Sequence, residues 1–454
     1  AIMARAGHTV TILEGNDWVG GKSRRIEIAG QRIDTGPSLV TFPGVWQEVL
    51  NRWDELGDGP SAADIAGVTL ERLPEVGRYY FRGQQANLPV EEGHEWHEAW
   101  QRFEREHGGL GPAITTLLTH DPWDPAILSA GKELLSRYGV RLTTEGYLNG
   151  LRWMPQDLRD VIAIHTLNAG VSPNQTLALY ATMAAVMAHD GVFVPRGGVY
   201  EIAAGLENLA RAAGVSIHTG EHVVSVKKNE VTTTQATYTS DYVISAVDGG
   251  ILEGLMGKNS RPPKKLSCSG VAIFGVLEQE LPEEIVTHSV MMPDRPDELF
   301  GSLASRNRPH ETMAFLNYYR AGEIYPNDRP VAALLLTAPP DGEQCDITDE
   351  FVQRESRRFS DLLGLEKSIT DMMTDHQILD PEYFAGFGAT GGALYGAPAP
   401  WWRSGPFHSP AYNSPKNPWL WRVGSSVHPG GGIPAVLGGV LISTRRMLAT
   451  LDKG

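Results

Sequence analysis

The chain has 454 residues, more than the ~250–300 that one hydrophobic core supports, so we expect at least two domains. Its 39 Lys and Arg against 54 Asp and Glu give a net charge of −15, which excludes nucleic acid as a partner because phosphate binding needs clustered positive charge. Two cysteines, Cys268 and Cys345, are too few for a disulfide framework or a four-ligand zinc site. We therefore expect a reducing, cytoplasmic location and no metal.

The first residues predict the second half of a βαβ unit. Residues 1–6 are helix-forming but follow neither a strand nor an N-cap, so we expect the chain to lack its natural beginning. Gly7 ends this helix, and the β-branched run 9–13 forms a strand that closes on Glu14. In dinucleotide-binding folds an acid at this position accepts ribose hydroxyls. An ordinary surface Glu at a strand end fits these residues equally well.

Two glycine turns follow this acid. Gly20, Gly21 and Lys22 combine unshielded backbone amides with positive charge, which suits a diphosphate. Residues 30–37 end on a second tight turn. A Gly-Gly turn followed by basic residues is also common in hairpins, but its position shortly after Glu14 favours ligand binding.

The middle of the chain alternates between two kinds of pattern. Residues 45–190 have helical patterning without βαβ alternation, which predicts an inserted domain. An amphipathic helix with Ile202, Leu206 and Leu209 on one face then leads into short strands. The apolar run 242–246 predicts a buried parallel strand, so the first domain resumes there.

A second mixed insertion covers about 256–415, with a strand at 331–337 and a helix at 350–363. Within it, residues 386–391 spell G-x-G-x-x-G, the dinucleotide-binding pattern. Residues 380–384 before them are not a hydrophobic strand, and no acid follows at the distance that a βαβ unit requires. We interpret this match as chance.

The tail predicts a strand at 420–424, a glycine loop at 425–434 and a helix at 435–451. A loop at a helix N-terminus presents unpaired N–H groups and the positive end of the dipole, which favours a polar or anionic ligand. Two prolines bracket the three glycines and stiffen the path, which disfavours a flexible surface loop.

These segments together resemble the FAD-dependent phytoene desaturase family. Its members act on carotenoids and are related to the amine oxidase flavoproteins. The resemblance covers nearly the whole chain, and its most specific part is the His-Pro-Gly-x-Gly-Ile-Pro loop before the final helix. It is carried by residues 1–25, 30–40, 191–215, 240–247 and 423–439.

The resemblance implies an α/β fold in which a Rossmann-like FAD-binding domain of the amine-oxidase type is interleaved with a mixed α+β substrate domain. The FAD-binding domain takes residues 1–75, 190–255 and 416–454. The substrate domain takes 76–189 and 256–415. The family's first strand and G-x-G-x-x-G loop would precede residue 1 and are not in the sequence.

The resemblance also implies contacts along the whole length of an FAD molecule. Glu14 would hold the adenosine ribose and Val224 would touch the adenine. The diphosphate and ribityl chain would lie along Gly20, Gly21 and Lys22, where Lys22 keeps the charge of the commoner Arg but not its planar fork. The flavin would be lined by Gly36, Pro37, Ser38, Gly424, Gly431, Gly432, Ile433 and Pro434.

The implied activity is that of an FAD-dependent carotenoid desaturase, which removes hydrogens from a C40 polyene with the hydride passing to FAD. No side-chain acid–base pair stands out, so the catalytic residues are not identified. His428 is the only titratable group in the flavin loop. A structural histidine satisfied by backbone is a stronger interpretation of His428 than a general base.

Other functions share these motifs. A carotenoid isomerase that uses reduced FAD has nearly all of them. Another amine-oxidase-type enzyme would place an aromatic pair at the flavin, for which the tail offers Trp419 and Trp421. An inactive truncated homologue or an isoprenoid-binding module is the non-enzyme alternative. The stretch from 391–396 to Trp401 and Trp402 favours a later-pathway carotenoid desaturase as readily as a phytoene desaturase.

A polyene substrate is insoluble, so we expect a cytoplasmic protein that associates peripherally with a membrane surface. The apolar stretches 177–188 and 433–442 are shorter than the ~20 residues that cross a bilayer, so we expect no spanning helix. A chain of charge −15 is not drawn to anionic lipid by bulk electrostatics. Shallow burial of the apolar run 177–187 is one interpretation, and a buried core helix is the stronger one.

Overall fold

The computed structural model describes residues 1–259, 263–398 and 411–452. Trp401 and Trp402 lie outside this part of the chain. Helices in the described residues are α1 Ile2–Arg5, α2 Pro43–Asp54, α3 Ala62–Ala66, α4 His97–His107, α5 Gly111–Thr119, α6 Pro125–Tyr138, α7 Thr144–Leu148, α8 Gln156–Ile164, α9 Leu179–Asp190, α10 Glu201–Ala212, α11 Gly249–Leu255, α12 Pro296–Ala304, α13 Glu350–Leu362, α14 Pro381–Ala385 and α15 Ile433–Leu451.

The strands come mainly from the front, the middle and the second half of the chain. They are β1 Thr11–Leu13, β2 Arg24–Ile28, β3 Gln31–Thr35, β4 Leu70–Arg72, β5 Gly77–Phe81, β6 Gln84–Leu88, β7 Phe193–Pro195, β8 Ser216–His218, β9 Val223–Lys227, β10 Glu230–Thr233, β11 Thr237–Tyr238, β12 Val243–Ser245, β13 Ser269–Leu277, β14 His288–Met291, β15 Ala314–Tyr319, β16 Val331–Ala338, β17 Met373–Leu379, β18 Asn413–Ser414 and β19 Asn417–Arg422.

Two parallel strand pairs carry the ends of the predicted ligand-binding loops. β1 pairs with β8, with Thr11 opposite Ser216, and β12 pairs with β19, with Val243 opposite Leu420. Parallel pairing of the apolar run 242–246 is therefore confirmed. Its predicted burial is wrong at Ile244, which is 39 % exposed, because β12 is the edge strand of its sheet within the described residues.

A seven-stranded sheet in the order β17-β13-β16-β15-β14-β5-β6 forms the largest layer. β5 and β6 thus join strands that lie some 200 residues later in the chain. Successive residues of β13 point to opposite faces: Ile273 packs into a cluster with α13, whereas Phe274 faces the main hydrophobic core. The strand predicted at 331–337 and the helix predicted at 350–363 are confirmed as β16 and α13.

The apolar run 177–187 belongs to a core helix. Ala181, Ala184 and Ala185 in α9 are fully buried, and α9 contacts α4, α7 and α8. A helix that is apolar all round is buried on every side, so a membrane contact through this run is wrong and the core-helix interpretation is correct. Among the described residues, no helix combines the length and apolarity needed to span a membrane.

The G-x-G-x-x-G match at 386–391 has no strand leading into it. Residues 381–385 form the short helix α14, Gly386 and Gly388 follow it, and Gly391 lies within a single 3₁₀ turn, Thr390–Gly392. The interpretation of this match as chance agrees with that arrangement, since a phosphate loop connects a strand to a helix.

Candidate functional site

Glu14 stands at the carboxyl end of β1 with its carboxylate oriented. One oxygen, Oε1, accepts from the backbone N–H of Asn16 at 2.9 Å and from its side-chain amide at 2.8 Å. The Glu14 N–H donates to the carbonyl of His218 and its carbonyl accepts from Glu221, which fixes the strand end against β8 and the loop that follows it. Both hydrogen bonds on the carboxylate use Oε1, so Oε2 is available to a ligand.

Val224 lies on β9, in the sheet of β9, β10 and β11, and its side chain is 53 % exposed. Two residues earlier, His222 closes on the loop after Glu14, because a Cβ on Gly15 would lie 2.7 Å from its Nδ1. The loop after β1 and the start of β9 are therefore neighbours.

The two predicted glycine turns touch each other. Gly20 has a φ of +108°, and a Cβ there would lie 2.6 Å from the carbonyl oxygen of Ser23. Gly36 has a φ of +91°, and its Cβ would lie 2.5 Å from the carbonyl oxygen of Lys22. Only glycine fits these positions. Gly21 also has a positive φ, but the space where its Cβ would stand is open.

Lys22 reaches from this pair of turns across the molecule. Its Nζ donates to the carbonyl oxygen of Leu394 at 2.7 Å, over a separation of 372 residues. Burial lowers the pKa of the Lys22 amine, and the nearby Asp248 carboxylate opposes that shift. Burial disfavours the charged form of the amine and Asp248 favours it, so these two effects together set the charge at the predicted diphosphate position.

The carboxyl ends of β12 and β19 meet below the glycine loop of the tail. Asp248 caps α11, and the N–H of Gly249 donates to the Ser426 hydroxyl at 3.0 Å. Gly424, with a φ of +89°, would place a Cβ 3.4 Å from the carbonyl oxygen of Ala246. These contacts bring the tail loop against the end of the β12 strand.

Gly432 immediately precedes helix α15, with a φ of +89° and open space at its Cβ position. Ile433 and Pro434 form the first turn of that helix, where Pro removes one of the N–H groups that would lack a partner. The predicted strand, loop and helix of the tail are confirmed, with the helix beginning two residues earlier than predicted.

Tyr395 places an aromatic ring against the tail loop. A Cβ on Gly431 would lie 3.1 Å from Cδ1 of this ring, and a Cβ on Gly170 would lie 2.8 Å from its Cδ2. The ring is thus held between two glycine backbones, one in the tail loop and one after α8. Burial raises the pKa of Tyr395, and the neighbouring Cys268 and Tyr180 raise it further.

His428 is 9 % exposed, and its backbone takes part in local packing. Its carbonyl oxygen accepts from the Tyr412 hydroxyl at 2.6 Å, and a Cβ on Gly439 of α15 would lie 2.9 Å from that oxygen. The His428 side chain contributes to the low pKa of Asp121, for which the hydrogen bond from Arg446 is the main cause. These contacts agree with a structural histidine, and its catalytic role is untested.

The turn at Gly36, Pro37 and Ser38 forms one wall of a small cavity of about 20 Å³. The opposite wall is the core-facing side of the seven-stranded sheet, which contributes Phe274 and Asn317. The predicted flavin-side turn therefore faces the sheet across a narrow, mostly apolar gap.

Trp419 and Trp421 do not form an aromatic pair at this site. Both are on β19 and are buried, Trp419 in the cluster with Val226 and Leu252 and Trp421 in the main core. The aromatic residue beside the tail loop is instead Tyr395.

Sequence reasoning missed the residues that join the loops. Leu394 and Tyr395 lie in the run 391–396, which the resemblance to the family singled out without giving a partner for it. Asp248 follows β12 directly, and an acid after a predicted parallel strand was an available signal. No sequence pattern indicated Gly170, because its role depends on a tertiary contact.

The site suits a dinucleotide that lies against backbone. Gly21, Gly430 and Gly432 all have positive φ and open space at the Cβ position, so a flat ligand can approach the chain there. Lys22 supplies buried positive charge and Glu14 an oriented carboxylate. Together these groups fit FAD.

Comparison with known proteins agrees with this geometry. Residues 2–57 and 70–276, more than half of the chain, match the family described as flavin containing amine oxidoreductase. A structure of cyclohexylamine oxidase from Brevibacterium oxydans superposes with a TM-score of 0.60 at 12 % identity, over 99 % of this chain and 96 % of that one. An oxidoreductase from Methanosarcina mazei gives 0.55 at 14 % identity, over 98 % and 97 %.

Among curated relatives, phytoene desaturase of Fusarium fujikuroi is 24 % identical over 346 residues, covering 70 % of this chain and 59 % of the relative. The chain thus spans less than two thirds of that protein's length. The 4,4'-diapophytoene desaturase (4,4'-diaponeurosporene-forming) of Staphylococcus haemolyticus is 21 % identical over 501 residues, covering 100 % of this chain and 97 % of the relative.

The fold is the α/β fold of the amine-oxidase type that the sequence predicted. The chain belongs to the flavin containing amine oxidoreductase family, and FAD is its cofactor.

Proposed function

We propose that the protein is an FAD-dependent carotenoid desaturase that acts on the CH–CH bonds of a C40 polyene. The observation that carries this proposal is the meeting of three loops at residues 394 and 395. Lys22 from the front of the chain bonds Leu394, and Gly431 from the tail packs on Tyr395. The relatives named phytoene and diapophytoene desaturase support the substrate class.

The binding roles follow from position along the site. Glu14 would accept the ribose hydroxyls and Val224 would contact the adenine. Gly20, Gly21 and Lys22 would hold the diphosphate and the ribityl chain. The flavin itself would lie against the two remaining loops, at Gly36, Pro37, Ser38, Gly424, Gly431, Gly432, Ile433 and Pro434.

When bound, FAD supplies the hydride acceptor that desaturation needs and that side chains lack. The chain's own residues would orient the polyene and exclude water. Phe274 and Tyr395 are suited to that role because they present buried aromatic surface next to the flavin loops. We assign no general base, and His428 would have a structural role.

The proposed division of labour follows the chain segments. Residues 1–75, 190–255 and 416–454 would bind FAD, and 76–189 with 256–415 would bind the substrate. The protein would work at a membrane surface on the cytoplasmic side, since its substrate dissolves in lipid and not in water.

Turnover in liposomes tests the proposal. The protein, loaded with FAD, is incubated with phytoene, neurosporene or γ-carotene, and the pigments are separated chromatographically. We expect at least one polyene to gain a conjugated double bond, with a red-shifted spectrum. An FAD-loaded protein that only changes the cis/trans geometry of a polyene would support the isomerase instead. Absence of bound flavin would support the inactive homologue.

Amine oxidation is the second candidate, and one observation favours it. Tyr395 places its ring against Gly431 of the tail loop, where an amine-oxidase-type enzyme would place one member of an aromatic pair. Hydrogen peroxide release from a panel of primary amines distinguishes the two functions. We expect none above the rate without amine, and turnover of an amine but of no polyene would replace the proposal.

A further inference from the structure

The segment from Trp123 to Leu142 exposes an unusual amount of apolar surface. Trp123 is 86 % exposed, Leu128 76 %, Leu135 57 % and Val140 96 %. Among the described residues, five of the eleven exposed large apolar side chains fall in this short segment. We call Trp123, Leu128, Leu135, Val140 and Leu142 the α6 surface.

Helix geometry places the centre of the α6 surface on one face. Leu128 and Leu135 are seven residues apart, two turns of α6, and therefore point the same way. The buried face of the helix carries Ala130, Leu134 and Tyr138. α6 is thus apolar on its buried face and also on part of its exposed face. A helix at an ordinary protein–water boundary has a polar exposed face.

Charge on this segment opposes that of the whole chain. Lys132 lies between Leu128 and Leu135 on the same face, and Arg141 lies between Val140 and Leu142. Residues 123–142 carry three cations, Lys132, Arg137 and Arg141, and two anions, Asp124 and Glu133, which gives a net of +1 on a chain of net −15. Neither Lys132 nor Arg141 has an ion pair with the described residues.

The α6 surface is connected to the candidate site. The carbonyl oxygen of Leu142 accepts from the N–H of Ala178 at 2.9 Å, at the start of α9. Tyr180 lies in the first turn of α9 and contributes to the raised pKa of Tyr395, which packs on Gly431. The end of the α6 surface is therefore fixed to the helix that carries Tyr180.

From these observations we propose that the α6 surface docks on a membrane that contains anionic lipid and admits the polyene there. Apolar side chains with cations among them match the boundary between acyl chains and anionic headgroups. The need for a membrane rests on the proposed function, whereas the position of the contact rests on exposure and charge. A second copy of the chain would have to match the same positive charges and is disfavoured.

Flotation of the full chain with FAD measures the contact. Vesicles contain either phosphatidylcholine alone or phosphatidylcholine with phosphatidylglycerol. We expect the protein to float with the anionic vesicles and the double variant Leu128→Gln/Leu135→Gln to partition at least about tenfold more weakly. The double variant Lys132→Gln/Arg141→Gln should lose about fivefold per charge on anionic vesicles and nothing on neutral ones.

Leu362→Gln is the matched control, because Leu362 is an exposed leucine on α13, at the far face of the large sheet. It should float like the parent protein. If the Leu128/Leu135 variant also floats like the parent, the α6 surface is not the contact. Sedimentation of both proteins tests the other occupant of this surface. If the parent is a dimer and the variant a monomer, the surface joins two copies of the chain and the membrane proposal is overturned.

Activity on polyene dispersed in detergent separates this proposal from the proposed function. We expect the Leu128/Leu135 variant to match the parent in detergent and to lose turnover in liposomes. Flotation without polyene turnover in either medium would overturn the desaturase function and leave the docking surface standing. Full turnover of the variant in liposomes would overturn the docking surface alone.

Discussion

Gly432 and Gly214 share a positive φ and differ in where they stand in the fold. Their φ angles are +89° and +80°, and neither has a heavy atom within 4 Å of where a Cβ would stand. Gly214 follows α10 as an ordinary helix-ending glycine, whereas Gly432 faces the loops that we assign to the flavin. Such a pair separates the strain of a positive φ from the loss of a ligand contact.

We expect Gly432→Ala to lose most of its bound FAD and Gly214→Ala to keep it. Both variants place an L side chain at a positive φ, which costs about 1–3 kcal/mol of stability in each. Flavin absorbance per protein after purification, with the thermal midpoint of each variant, measures both effects. Equal flavin content at equal stability would show that Gly432 does not face the cofactor.

At the scale of elements, a buried polar network ties four helices together. His107 at the end of α4 bonds the Tyr147 hydroxyl of α7 at 2.7 Å through Nε2 and Thr182 of α9 at 3.2 Å through Nδ1. Tyr138 at the end of α6 bonds the same Thr182 hydroxyl. Burial lowers the pKa of His107 to about 4, so the imidazole is neutral in the folded protein at neutral pH.

This network predicts a loss of stability in acid. As the pH falls below about 6.5, His107 is protonated in the unfolded chain before it is protonated in the folded protein, so the free energy of unfolding decreases. This decrease is absent at pH 7, reaches about 2 kcal/mol by pH 5 and is nearly complete at about pH 4.

Denaturant unfolding at pH 7 and pH 5 measures the effect. We expect His107→Gln to reduce the parent's loss of unfolding free energy between the two pH values by about 2 kcal/mol. His8→Gln, at an exposed histidine, should leave that loss unchanged. The same pH dependence in all three proteins would assign the acid sensitivity to other groups.

At the scale of the whole molecule, one largely buried ion-pair network joins two distant parts of the chain. Arg25 on β2 bonds Asp34 on β3 at 2.9 Å, Glu201 at the start of α10 at 2.9 Å and the carbonyl of Gly197 at 2.6 Å. Asp34 also accepts from the N–H of Tyr200. Burial raises the pKa of Asp34, although the bond from Arg25 opposes that shift.

Replacing Arg25 by Leu should be severely destabilising. The change leaves the Asp34 carboxylate buried without its cation, which costs about 3–5 kcal/mol. Arg211→Leu removes an exposed pair with Glu207 on α10 and should cost no more than about 1 kcal/mol. Unfolding free energies of both variants check this, and a small effect at Arg25 would mean that Asp34 finds another partner or protonates.

Much of the fold was predictable because local patterns fix it. Gly7 after a short helix, the β-branched run that ends at Glu14, and the tail of strand, glycine loop and helix depend on residues close in sequence, and the structure has all three. No local pattern decided between the two interpretations of the run 177–187, a membrane contact and the favoured core helix. Hydrophobicity alone does not distinguish a helix that packs on neighbours from one that meets lipid, and α9 packs on α4, α7 and α8.

The sequence by itself determined the family, the cofactor and the conformation of the glycine turns, because a positive φ and an absent Cβ are properties of single residues. Only the tertiary structure decided which turns meet. Lys22 and Leu394 are joined over 372 residues, and Tyr395 lies between Gly170 and Gly431. Such contacts depend on the packing of whole layers, and no local pattern records them. The same packing buries α9 and leaves Leu128 and Leu135 in solvent.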